Sequence, residues 1–580
     1  MKLRLLFLAL PVFITAILAL RLTDRNQTAQ QIADLNKYKQ ENSIRCTPDW
    51  DALKEALDEV DIPPIPGAGS YKWKITTTSD SAQFYFNQGI NMYYGFHIIE
   101  AMASFNKAEK FDPTSAMIFW AKALTFGPNI NDLGYAASPA ALTAVDKAIE
   151  LSRNATPIEK GLILAQQVRY SADSTKTRTD LNQHYADNMQ QLYDQFSSSA
   201  DVAALYADAL MLQHPWDLWF SNGKPKDWTA RIRRVLEKLL ITTPLHPGAN
   251  HYYIHVMEPS PYASLATASA DKLGSLSPAL SHMVHMPSHI YLRTGNYSKG
   301  AAVNEAAIKS YNNVLQLFAP AAGADFLYLI HNLHMQTNHA MMSGNRKYAI
   351  ESAKQTAASI PADYLSMDGA LGNYIQYIYY TNILVDIRYA RWDALLEMKQ
   401  PPAKQVYSNV LYHFGKGMMY AHQQKLPEAQ REYGYLTALL KDSILSLPIA
   451  PFSPAVDGAT VAANLLAGTI ALEQKNNTAA IEHFSKAVTT EEQMVYNEPR
   501  DWLLNPKHFL GNAYLQMQEW KKAEAVLLSD LDNNNNNIWA LSGMHTAYLK
   551  QGKTKAALTL LQQLKKVSSN ADVKITAPVL

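Results

Sequence analysis

Cysteine is almost missing from this chain: Cys46 is the single one in 580 residues. One thiol closes no internal disulfide, builds no thiolate cage for zinc and holds no cysteine-ligated iron–sulfur cluster. Ser43-Ile44-Arg45 before it make no lipid-attachment site, so Cys46 reads as a free cysteine. An excess of charge of either sign is missing too: 52 Lys and Arg face 51 Asp and Glu, a formal +1. No long-range field draws such a chain to nucleic acid, which is excluded as a partner. Common catalytic signatures are also absent: no histidine-glutamate-x-x-histidine helix, no serine elbow between glycines, no phosphate loop, no dinucleotide glycine fingerprint. The expectation leans away from an enzyme.

What is present is ample apolar material. With 48% hydrophobic and 18% charged residues the chain folds, and its length exceeds one compact core. Lys2 and Arg4 precede an uncharged run from Leu5 to Leu20, after which Arg21 and Asp24 restore polarity. This is an export segment, 1–22, a signal peptide or an anchor; Ala16 and Ala19 are spaced too widely for good processing, which favours an uncleaved anchor. A polar stretch and the run Ile62-Pro63-Pro64-Ile65-Pro66-Gly67 follow, read as a juxtamembrane segment and linker over 23–70, with the packed body starting near Tyr71.

From Ser81 onward apolar residues recur at three and four, with short breaks at Gly, Asn or Pro, so the body is all-α. Gly89 is followed by Ala101, Phe105, Ala108 and Pro113; the frame returns at Gly468, Ala480, Phe484 and Ala487, and again at Gly511, Tyr514 and Ala523. Small residues let two helices approach, and the aromatic fills the space between them. These residues resemble tetratricopeptide (TPR) repeats, helical hairpins of about 34 residues that stack because one hairpin cannot bury its apolar face alone. The expected fold is a tetratricopeptide-like helical-hairpin solenoid with an irregular His-rich centre: repeats over 71–200, an irregular His/Trp-rich insert over 201–290, and repeats over 291–395 and 396–580.

Nine of the 17 histidines lie between His246 and His339. His251 and His255 are spaced to share one helical face, as are His285 and His289, and Glu258 follows His255 by one turn. His282, His285 and His289 form a second stripe, with Pro287 expected to kink or start a helix within it. The first reading is structural, with imidazoles bridging helix ends inside the core. The alternative is a metal site drawn from His251, His255, His285, His289 and Glu258, holding copper, zinc or iron; Met257, Met283, Met286 and Met335 favour copper(I) if their sulfurs converge. Groove-lining candidates for a partner are Trp216, Asp217, Trp219, Tyr252, Tyr253, Tyr291 and Arg293. Asn533 to Asn537 read as a polar inter-repeat loop, and Asn497 to Trp502 as an interhelical turn with a local ion pair.

Pro215-Trp216-Asp217-Leu218-Trp219, His246-Pro247-Gly248-Ala249-Asn250-His251-Tyr252-Tyr253-Ile254-His255 and His285-Met286-Pro287-Ser288-His289-Ile290-Tyr291 together resemble a bacterial family of tetratricopeptide-repeat proteins built around those strings. Phe86-Asn87-Gln88-Gly89 and Gly127-Pro128-Asn129-Ile130-Asn131 fit its opening. The resemblance implies architecture and no catalytic roles. With the export segment it places the protein across the bacterial inner membrane, in the periplasm or envelope, tethered by residues 5–20. The leading functional expectation is therefore a membrane-tethered scaffold whose groove binds a protein or peptide; the alternative is a histidine-ligated metalloprotein.

Overall fold

The structure, a computed structural model, describes residues 48, 50–131, 135, 137–220, 223–323, 326–447, 452–500 and 502–580. The export run Leu5 to Leu20, Cys46 and Asp501 lie outside them. The described residues form helices and one isolated bridge, Trp219 to Pro225, and contain no strand. The all-α expectation holds. The helices are α1 Trp50–Glu59, α2 Asp80–Tyr94, α3 Ile98–Phe111, α4 Ala116–Thr125, α5 Ala140–Leu151, α6 Pro157–Gln167 and α7 Arg178–Gln195. The central region carries α8 Ala200–Met211, α9 Thr229–Thr242, α10 Pro247–Met257, α11 Thr267–Leu276, α12 Ser281–His285, α13 Pro287–Arg293, α14 Tyr297–Leu317, α15 Phe326–Ser343 and α16 Arg346–Ala358. Then come α17 Gly369–Tyr379, α18 Thr381–Arg388, α19 Trp392–Glu397, α20 Val406–His422, α21 Leu426–Leu439, α22 Ala455–Glu473, α23 Asn477–Gln493, α24 Pro506–Gln516, α25 Trp520–Leu531, α26 Ile538–Lys550 and α27 Thr554–Val567.

The chain divides into two compact units. The first runs to Asn188 and adds Pro278–Leu280 and Lys309–Tyr328; the second takes Met189–Ser277, Ser281–Ile308 and Leu329–Leu580. In the first, α2 pairs with α3, α4 with α5, and each pair packs on the next. Packing starts upstream of Tyr71. Ile62 and Ile65 are buried, the Ile65 amide donates to Gln88 Oε1 at 2.8 Å, and Trp50 packs edge-on against Phe126. The Pro/Gly run, assigned to a linker from its inability to continue a helix, is extended backbone whose apolar side chains fill the flank of α2.

In the second unit the pairs α20–α21, α22–α23, α24–α25 and α26–α27 stack in order, a tetratricopeptide-like array. One local device recurs at the hairpin turns. A residue in the left-handed region, Gly295, Gly344, Gln424, Lys475, Gln518 or Gly552, lets the next amide reach back five residues, as in Asn345 N to Ala340 O and Asn476 N to Ala471 O. That bond satisfies a helix-terminal carbonyl and aims the chain into the second helix. The close approaches expected from the repeat frame are present: a Cβ on Gly89 would stand 2.5 Å from the Phe105 ring, and one on Gly468 2.6 Å from the Phe484 ring. The stretch expected to be irregular, 201–290, is also helical, with α8 against α9, α9 against α10 and α10 against α11.

Candidate metal centre

Helix α10 begins where His246 caps it: its Nδ1 accepts from the Ala249 amide at 3.1 Å, and Pro247 takes the first helical position, where no amide donor is needed. His246 is thereby a structural residue. Every residue of α10 is buried, so its polar side chains must find partners inside the fold. His251 and His255, one turn apart, point the same way, with Nε2 atoms 3.1 Å apart, and His282 Nε2 of α12 lies 3.1 Å from His251 Nε2. Pro287 starts α13 just after α12, which sets His285 and His289 on two short helices yet brings their Nε2 atoms to 2.8 Å. His331 of α15 completes a second triad, its Nε2 3.1 Å from that of His285. The triads adjoin, with ring centroids 6.0 Å apart for His282 and His285 and 6.5 Å for His255 and His289.

One carboxylate serves both. Glu258 caps the end of α10, with Oε1 2.9 Å from His255 Nδ1 and Oε2 2.9 Å from His289 Nδ1; the Tyr496 hydroxyl donates to Oε2 at 2.9 Å. On the other side His285 Nδ1 faces Asn304 Oδ1 at 2.5 Å. The orientation of that amide is fixed, because Asn304 Nδ2 donates to the Gly300 carbonyl at 2.9 Å. Acceptors therefore hold the protons of His255 and His285 on Nδ1, and their Nε2 atoms present lone pairs to the triads, while His289 Nδ1 lies near Glu258 Oε2 without hydrogen-bond geometry.

Two lone pairs facing each other at 2.8 Å repel unless a positive charge lies between them. A proton relieves one such contact; an ion at the triad centre relieves all of them. Nitrogens bound at about 2.0–2.1 Å stand about 2.9 Å apart at right angles and about 3.3 Å apart in a tetrahedron. The separations of 2.8 and 3.1 Å lie at the lower edge of that span.

The electrostatics suit ligation. Burial, joined by the neighbouring His289 ring, holds the His285 and His331 imidazoles well below their ordinary range, so both are neutral. Burial alone would raise the Glu258 carboxyl, but His289 and His255 outweigh it and keep it ionised, well below the usual carboxylate range. Burial and that neighbouring charge push Glu498 far up. Glu498 is near both triads: Oε1 is 3.6 Å from His289 Nδ1 and Oε2 3.4 Å from His331 Nε2.

All four histidines and the glutamate of the expected metal set meet here. His282, His331 and the outer partners Asn304, Tyr496 and Glu498 join them. His282 was visible in the sequence as part of a stripe, His331 in the string His331-Asn332-Leu333-His334 and Glu498 only within the stretch read as an interhelical turn, while nothing local marked Asn304. His334 and His339 follow the structural reading: burial lowers each to about 3, and they pack against Tyr377 and Tyr297. Met335 packs with Leu292, Tyr297 and Met342 as apolar filling.

Of the groove candidates, Trp216 is buried with its ring edge-on to His255 at 5.3 Å, and Trp219 is buried with Nε1 donating to the Val256 carbonyl at 2.7 Å. Tyr252 and Tyr253 are buried, and Tyr253 donates to Glu237 at 3.0 Å. Tyr291, buried, donates to Asp271 at 2.6 Å. Asp217 is exposed and pairs with Lys226 at 3.0 Å; half-buried Arg293 reaches the Ser260 carbonyl at 3.3 Å.

No known family model matches the sequence, and no curated protein does. Among solved structures, the human IFIT1 dimer with m7Gppp-AAAA is similar to 89% of this chain and 100% of its own, at 11% identity and a TM-score of 0.33. The TPR domain of P58(IPK) matches 82% of this chain and 99% of its own, at 11% identity and a TM-score of 0.20. The APC/C hetero-tetramer Cut9-Hcn1 matches 84% and 88%, at 14% identity and a TM-score of 0.26. Likenesses at this level assign no ligand or activity.

Proposed function

We propose that this protein is a histidine-ligated metalloprotein in which a tetratricopeptide-like scaffold holds two adjacent transition-metal sites, one at His251, His255 and His282 and one at His285, His289 and His331. The observation that carries this reading is the convergence of three buried imidazoles in each triad, the central Nε2 within 3.1 Å of two others, with the His285 lone pair turned inward by Asn304 behind its ring. Hydrogen bonding between core imidazoles does not account for it, since each triad places one Nε2 near two others. The donor set, imidazole with no thiolate, selects copper, zinc or iron. Three nitrogens per ion leave a coordination position for water or a substrate atom, the condition for metal-assisted chemistry.

The chain strings that resemble a bacterial repeat family support the same reading, because they meet at this place: Trp216 lies on His255, and the two histidine strings supply His251, His255, His285 and His289. The protein- or peptide-binding role expected of such a scaffold rests on the hairpins and leaves the buried imidazoles without a purpose. On the export reading, the centre works in the bacterial envelope. Elemental analysis of the purified full chain tests the proposal. Two equivalents of copper, zinc or iron, reduced in His255→Ala and in His289→Ala, are expected; protein that takes up no such metal after incubation with each ion and dialysis would rule it out.

A further inference from the structure

Beside the histidine centre lies a cleft of about 700 Å³, lined among others by Trp216, Arg293, Tyr496, Asn497 and Arg500. Its charged side chains are unevenly paired. Lys226 is paired with Asp217 at 3.0 Å, Lys507 with Glu492 at 2.8 Å and Asp530 with His508 at 2.9 Å. Arg500 reaches Glu491 at 3.8 Å and also acts on the Asp530 carboxylate, while the hydrogen bonds of Arg293 go to neutral groups. Arg293 contacts the neutral Ser260 carbonyl and Asn533 Oδ1 at 3.3 and 3.4 Å, and Arg500 contacts Asn534 Oδ1 at 3.1 Å. Arg293 Nε and Arg500 Nη1 have no hydrogen-bond partner. Burial, joined by repulsion from Arg500 and opposed by Tyr496 and Glu258, lowers the Arg293 affinity for its proton. Buried guanidiniums with unsatisfied N–H groups cost free energy that a bound anion offsets.

A second observation is independent of charge. Trp216, a bulky residue, sits at φ +62°, a region such side chains rarely occupy, and this backbone places its ring in the cleft wall against His255. Strain of that kind collects where a ligand is held.

We propose that this cleft binds a small organic oxoanion, a carboxylate or a phosphate ester, whose oxygens meet the guanidiniums of Arg293 and Arg500 in the cleft wall while Trp216 covers its apolar part. Guanidinium forks match both oxygen geometries. The space exceeds a bare anion, so the charged group anchors a larger molecule and directs the remainder toward Tyr496 and the imidazoles. The proposal stands without any ion in the triads.

The test is calorimetric titration of the full chain with inorganic phosphate and, separately, succinate, against chloride at equal ionic strength. Saturable binding of at least one probe is expected; which one binds separates phosphate from carboxylate. The affinity should fall at least tenfold in Arg293→Gln and in Arg500→Gln, partly recover in Arg293→Lys, and persist in His289→Ala, so that loss of metal and loss of anion are read separately. Should Arg500→Gln fail to fold by circular dichroism, Arg293→Gln decides alone. No saturable heat with either probe, or unchanged affinity in Arg293→Gln, would overturn the proposal.

Discussion

Replacing Glu258 by glutamine is the most discriminating change the centre offers. Glu258 Oε1 accepts from His255 Nδ1 and Oε2 stands beside His289 Nδ1, each at 2.9 Å, so one side chain bears on an imidazole of each triad. Glutamine has the same shape but one acceptor and one NH₂. If the NH₂ takes the Oε1 position it confronts His255; if it takes the Oε2 position it confronts His289, while the Tyr496 hydroxyl can turn to accept. In both cases one imidazole moves its proton to Nε2 and withdraws its lone pair from its triad. Loss of an outer-shell partner of a metal-bound histidine weakens affinity about 10–100-fold, or about 1.4–2.7 kcal/mol. Glu258→Gln should therefore keep one tight site and weaken the other by that factor. Competition titration with a chromophoric chelator, following both equivalents, reads the result. Two unchanged sites would refute the tautomer argument, and simultaneous loss of both with intact helicity would show that Glu258 is itself a shared ligand.

Asn304→Leu removes the acceptor behind His285 and should weaken the second triad alone, leaving the first equivalent of metal untouched in the same titration. Gly468→Ala forces a methyl to within 2.6 Å of the Phe484 ring and should cost about 1–3 kcal/mol, read as a lower midpoint in urea unfolding with no change in metal content. Asp530 is buried among His508, Asn505, Asn534 and Asn537. Burial would raise it, but His508, Arg500 and Asn534 bring it from 3.8 to about 2. A folded value below the unfolded one gives stability that is fully present above 3.8 and lost as pH falls toward about 2. Asp530→Asn should flatten acid unfolding in that window, followed by circular dichroism; an unchanged profile would contradict the assignment.

The repeat frame was legible because it is local. Gly89 with Phe105 and Gly468 with Phe484 lie one hairpin apart, so the spacing that makes them touch is written in the chain. His251 with His255 was legible for the same reason, a single helical turn. The second triad was only half visible: Pro287 argued against regular spacing, yet a helix start there still leaves His285 and His289 in contact across a bend. Glu498 and Tyr496 come from a segment far away in sequence, and Asn304, though near His285 along the chain, is of a type common on any helix or turn. Nothing local separates Asn304 from a solvated asparagine. The Asn533–Asn537 run shows the converse. Its composition reads as a polar loop, but Asn533 and Asn534 touch Arg293 and Arg500, and the Asn535 carbonyl accepts from Tyr297 at 2.7 Å. Distant repeats meet through it, which spacing along one chain does not record.

The central claim, two ions held side by side by six imidazoles, is tested most directly by anomalous diffraction from crystals of metal-loaded protein at the absorption edge of the bound element. Two peaks are expected, one ringed by Nε2 of His251, His255 and His282 and the other by Nε2 of His285, His289 and His331, with Glu258 outside both shells. A single peak, or peaks away from these nitrogens, would contradict it.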